Sequence, residues 1–98
     1  MEISKHAFDR AKERLNWNKQ VLEKMAFLAF NNGLKHRDTK GKLKKYMDKL
    51  WFDYKFCNNA RIYGEVMYFF KGEVLITVYQ IPNNLKTNLK ICKNAKNN

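Results

Sequence analysis

His6, Arg10 and Arg14 stand four residues apart near the start of the chain. On a helix, residues four apart differ by about 40° around the axis, so the three form one cationic stripe. Cleaving RNA without a metal needs a base for the 2′-hydroxyl proton, an acid for the leaving oxygen and cations for the crowded phosphate. Histidine serves as base or acid near neutral pH, and arginine holds phosphate through two parallel hydrogen bonds. Arg61 and Tyr79 complete the required residue types. Arginine is scarce, four residues against sixteen lysines, and Arg61 falls in a strand-like run. His6, Arg10, Arg14, Arg61 and Tyr79 are therefore the candidate catalytic residues. The same stripe, interleaved with Asp9 and Glu13, is also the pattern of a normal solvated helix face, and Tyr79 that of a normal sheet residue. His36, beside Arg37 and Asp38 in a polar stretch, is a second histidine candidate.

The other chemistry on offer is charge. The 98 residues carry a net +11, and the excess is uneven. Residues 35–58 hold eight basic and three acidic side chains, a net +5, and residues 83–98 hold four lysines and no acid. Residues 59–82 are neutral, with two of each sign. A field of this sign raises encounter rates with nucleic acid or with an acidic protein surface. Lys42, Lys44, Lys45 and Lys49 in the first segment, and Lys86 and Lys90 in the second, are the candidate binding residues. Lysines of this kind make phosphate contacts and read no sequence.

Several classes fall away. His6, His36, Cys57 and Cys92 have no ligand spacing, so no metal and no cofactor are expected. The two cysteines read as free thiols of a reducing compartment. No apolar run reaches membrane length, so no membrane partner is expected. The first residues lack the basic start and apolar stretch of a signal peptide, which predicts a cytoplasmic protein.

The elements that must position these residues follow from periodicity. Ser4 caps a helix over 5–15 with Phe8, Ala11 and Leu15 as its apolar stripe. Asn18 caps a second helix over 19–32, which Gly33 is expected to end in a left-handed conformation. A third helix runs over 42–54 after a polar loop at 35–41. Its inward stripe is Leu43, Met47, Leu50 and Tyr54, and its lysines lie opposite. The period then becomes strand-like over 60–63, 66–71 and 74–81, with glycine turns at Gly64 and Gly72, and Pro82 stops the last strand. Tyr63, Tyr68, Phe69 and Phe70 could stack on bases if exposed, but read better as core. On the third strand, Val74, Ile76 and Val78 are expected to face the helices, with Leu75, Thr77 and Tyr79 on a partly open face. The predicted fold is α+β, with N-terminal helices on one face of a three-stranded antiparallel sheet. Residues 1–84 form one domain and 85–98 a basic tail, helical or disordered, with Leu85, Leu89 and Cys92 at helical spacing.

The segment Ser4-Lys5-His6-Ala7-Phe8-Asp9-Arg10-Ala11-Lys12-Glu13-Arg14 resembles the opening of RelE-like proteins. These are small bacterial and phage proteins of the barnase–EndoU–colicin–RelE assemblage, which often begin with an "SKHAxxRxxxR" helix. Arg61-Ile62-Tyr63-Gly64, Leu75-Ile76-Thr77-Val78 and Ile81-Pro82 extend the likeness over residues 4–84. The resemblance implies a metal-free ribonuclease fold of the toxin type, with His6, Arg10, Arg14 and Arg61 in a positive cleft and RNA as partner. It also implies a protein partner such as an antitoxin. A phage or mobile-element origin would suit a different role, a non-enzymatic inhibitor that grips a host defence complex as anti-CRISPR proteins do.

Overall fold

The computed structural model describes residues 1–97; Asn98, the end of the predicted tail, lies outside the described residues. The first helix, α1, spans Lys5–Leu15, and Ser4 Oγ accepts from the Ala7 N–H at 3.1 Å as its cap. It ends at Asn16, whose φ of 55° turns the chain left-handed so that its N–H can bond back to Ala11 and Lys12. Helix α2 spans Lys19–Asn32, with Asn18 Oδ1 accepting from the Val21 N–H at 2.9 Å. Both spans agree with the periodicity. Gly33 does not: its φ is −69°, in the ordinary extended region. Glycine is required there by space instead, because a Cβ would lie 2.6 Å from the Ala29 carbonyl oxygen and 3.0 Å from Arg61 Cβ.

Strands β3 (Asn59–Tyr63), β4 (Val66–Lys71) and β5 (Val74–Gln80) form the expected antiparallel meander. Gly64 and Gly72 open its two turns at φ of 62° and 59°, a region costly for any residue with a Cβ. Among the described residues, however, the sheet has five strands. A two-residue strand β1 (Glu2–Ile3) runs parallel to β5, and a second, β2 (Leu34–Lys35), runs antiparallel to β3. The order is β1-β5-β4-β3-β2. Two residues carry no readable period, so these edges arise from where α1 and α2 leave the chain.

The second correction concerns coverage. Val66, Tyr68 and Phe70 of β4 pack with α1 and α2, while Met67 and Phe69 pack with α3 (Gly41–Asp53) and α4 (Lys86–Asn97). Alternate residues of a strand point to opposite faces, so the sheet is sandwiched between two helix pairs rather than backed by helices on one face. One of those helices is C-terminal, and Leu89 and Cys92 of α4 are buried in its core. The five apolar residues Val66–Phe70, all buried, match a strand with two covered faces. Tyr68, Phe69 and Phe70 are thus core, as their composition suggested. Cys57 and Cys92 are buried free thiols.

β5 carries an irregularity that overturns the expected alternation. Phe69 faces Thr77 and Phe70 faces Leu75, which leaves Ile76 without an opposite residue. Such a bulge shifts the phase by one. Leu75 and Val78 therefore share the α1/α2 face, and Ile76 and Tyr79 share the α3/α4 face. No open sheet face remains for Leu75, Thr77 and Tyr79 to line. Beyond the two residues paired to β1, the outer edge of β5 is satisfied by α1: Ser4 Oγ donates to the Ile76 carbonyl at 3.1 Å and Arg14 Nη1 to the Val78 carbonyl at 2.8 Å.

Candidate nucleic-acid interface

The predicted cationic stripe on α1 forms, but its members have different surroundings. Arg14 turns inward over the Tyr79 ring, its Cζ 4.1 Å from the centroid, while Nη1 holds the β5 edge. The Tyr79 hydroxyl donates to the Tyr54 hydroxyl at 3.1 Å. Burial, then the Tyr54 hydroxyl, push the Tyr79 phenol up to about 12, with Arg14 opposing. Tyr46 is also raised by burial, against the field of Arg14. Arg10 pairs with Glu13 at 2.9 Å. His6 is exposed, and its side chain makes no hydrogen bond among the described residues.

Arg61 lies elsewhere. Its Nε donates to Asn59 Oδ1 at 3.1 Å and its Nη1 to the Gly33 carbonyl at 3.0 Å, tying β3 to the end of α2. β4 separates it from β5, and neighbouring strands are about 4.8 Å apart. Arg14 and Tyr79 are therefore brought together, and Arg61 is not with them. His36 pairs with the Asp48 carboxylate and meets Trp51 edge to face at 5.3 Å between centroids. Its neighbour Asp38 accepts from the Lys35 N–H and from Lys96 Nζ, both at 2.9 Å.

The lysines divide as sharply. In α4, Lys86 pairs with Glu65 at 3.2 Å, Lys93 donates to the Gly64 carbonyl at 2.7 Å and Lys96 binds Asp38. These three tie α4 to the β3–β4 turn and to the loop before α3, and only Lys90 of the four is exposed without such a partner among the described residues. A groove of about 410 Å³ beside Leu34, Ile62 and Tyr63 includes Lys93 and Lys96, whose ammonium groups are already engaged.

Helix α3 is different. Leu43 and Met47 are fully buried, and Trp51 Nε1 donates to the Cys57 carbonyl at 3.0 Å, which fixes the helix about its axis. Its N-terminus is capped from another element, because Asn88 Oδ1 of α4 accepts from the Leu43 N–H at 2.8 Å. Lys42, Lys44, Lys45 and Lys49 all project to solvent. None forms an ion pair among the described residues. Lys45, Lys49 and Phe52 follow an i, i+4, i+7 line, and with Asp48 and Asp53 they line a shallow depression of about 650 Å³. Of the two acids, Asp48 is occupied by His36.

No family model, curated protein or solved structure matches this chain. The site must be read from its own chemistry.

Two side chains at the end of α3 and in the turn after it are not anticipated by composition. Phe52 is 72% exposed and Phe56, just past the helix end, is 54% exposed. Lys55 Nζ lies 5.0 Å from the Phe52 ring centre. The signal is available in the periodicity: nine residues separate Phe52 from the buried Leu43, which is about 180° around a helix. An apolar ring so placed cannot belong to the core.

Proposed function

We propose that the protein binds RNA by laying the phosphate backbone along the exposed lysines of α3. The observation that carries this reading is that Lys42, Lys44, Lys45 and Lys49 of α3 are all exposed and form no ion pair among the described residues. Lys42 and Lys44 stand in the opening turns of α3, whose first turn contains no acid. Cations at the positive end of a helix dipole cost stability, about 0.3–1 kcal/mol each. A polyanion relieves that repulsion, and each neutralised phosphate releases counterions. The resemblance of Ser4–Arg14 to RelE-like proteins supports RNA over DNA. The reading is binding rather than cleavage, because Arg14 and Arg61 are spent on backbone carbonyls and His6 has no hydrogen-bonded partner among the described residues.

The test is anisotropy of a labelled RNA oligonucleotide across increasing salt. Affinity should fall steeply, with a log–log slope of about −0.7 for every phosphate neutralised on a single strand. The triple variant K44E/K45E/K49E should bind about a hundredfold more weakly, and the RNA should stay intact without divalent metal. A flat salt response, or equal binding by the variant, would overturn the proposal. Stoichiometric capture of one acidic protein by a protein with no RNA affinity would replace RNA by a protein partner.

A further inference from the structure

The lysines account for attraction to any polyanion; they do not account for Phe52 and Phe56. Fully burying a phenylalanine side chain is among the larger stabilising contributions available to a small domain, yet these two rings stay mostly in water at 72% and 54% exposure. They are not scattered. Phe52 lies in the last turn of α3 on the line of Lys45 and Lys49, and Phe56 lies in the turn that follows the helix. Lys55 stands against Phe52 at 5.0 Å and Phe56 leans on Tyr54, with ring centres 6.2 Å apart. Phe56 thus has an aromatic neighbour in Tyr54, and Phe52 has Lys45, Lys49 and Lys55 beside it.

This combination of a basic track and exposed aromatic rings suits a particular form of nucleic acid. In a duplex the base faces are stacked on one another, and the helix presents phosphates and sugars. Against that surface two phenyl rings meet only charge and water. In a single strand the bases turn outward, and every base offers a π-face that an aromatic ring can cover without regard to sequence. We infer, resting on the RNA-binding reading, that Phe52 and Phe56 stack on unpaired bases and that the ligand of the α3 face is single-stranded rather than duplex RNA. Lys45 and Lys49 carry the backbone towards the rings. Lys55 leaves the Phe52 face for a phosphate as a base takes its place.

The experiment compares a labelled twelve-nucleotide single-stranded RNA with a duplex of the same length. It uses the full chain, the double variant F52A/F56A and the double variant K45A/K49A. Each stacked base is lost for about tenfold in affinity, so F52A/F56A should bind the single strand about a hundredfold more weakly. Its salt slope should be unchanged, since the lysines remain. K45A/K49A should instead flatten the slope by about 1.4, the share of two phosphates. The wild type should prefer the single strand by at least about tenfold. Both rings are exposed, so the double variant keeps its core. A third variant, F52W, reports stacking directly, because a base laid on the indole quenches its fluorescence. Equal binding of single strand and duplex, with F52A/F56A unaffected and no quenching in F52W, would overturn the stacking inference and leave the lysine reading intact. Absence of binding to either RNA would remove both.

Discussion

The Arg14 guanidinium carbon sits 4.1 Å from the centre of the Tyr79 ring while Nη1 of the same group donates to the Val78 carbonyl at 2.8 Å. One side chain thus closes the unpaired edge of β5 and stacks on the strand's next residue. Arg14→Ala should destabilise the fold by about 2–3 kcal/mol, combining a charged hydrogen bond with a cation–π contact. Arg14→Lys should recover only part of it, because an ammonium cannot present a planar fork to the carbonyl and the ring together. Urea midpoints of the two variants measure this. Equal stability of Arg14→Ala and wild type would mean that Arg14 is free to act on a ligand.

Tyr68 is fully buried beneath α1 and α2, and its hydroxyl oxygen has no hydrogen-bond partner among the described residues. Burial drives its phenol far above the usual tyrosine range. Removing an unpartnered buried hydroxyl relieves a desolvation cost, so Tyr68→Phe should raise stability by about 1 kcal/mol. The ring and its stacking on Phe70, at 6.4 Å between centres, are kept. A lower denaturation midpoint would show that the hydroxyl is satisfied by a buried water.

Asp38 gives stability a pH dependence. Burial raises its carboxyl, but the Lys35 N–H and the Lys96 ammonium outweigh burial and leave it below the ordinary value of 3.8. Its carboxylate is therefore favoured in the folded state. The contribution is complete above about pH 4 and is lost as pH falls through the lower folded value. Thermal melts from pH 5 downwards should show this loss, and Asp38→Asn should reduce it while lowering stability at pH 7. An identical acid profile in the variant would assign the loss to other carboxylates.

Gly33 joins α2 to β2 where no side chain fits. In Gly33→Ala the new Cβ would meet the Ala29 carbonyl oxygen at 2.6 Å, Arg61 Cβ at 3.0 Å and the Ile62 carbonyl oxygen at 3.1 Å, all three on α2 or β3. The backbone must shift, at about 1–3 kcal/mol. The Arg61 bond to the Gly33 carbonyl should weaken with it. A denaturation curve for the variant, together with Arg61→Ala, tests whether the two changes share one origin: coupled sites give less than the sum of the single losses.

Local order alone determined α1, α2 and the meander. Ser4, Asn18, Gly64 and Gly72 act on backbone within a few residues of themselves, and helical or alternating period survives in any context. The charge map was equally legible, because the placement of lysines in residues 35–58 is a property of the chain. What the tertiary structure decided depends on partners distant in sequence. Strands β1 and β2 exist through pairing with β5 and β3, and two residues hold no signal of their own. The unpaired Ile76 rotated the end of β5, so Tyr79 met Tyr54 and Arg14 rather than an open face. Lys86, Lys93 and Lys96 of α4 were captured by Glu65, Gly64 and Asp38 once that helix docked, while those of α3 form no ion pair among the described residues. Charge is written residue by residue, but whether a charge is spent or left over is settled only when the elements pack.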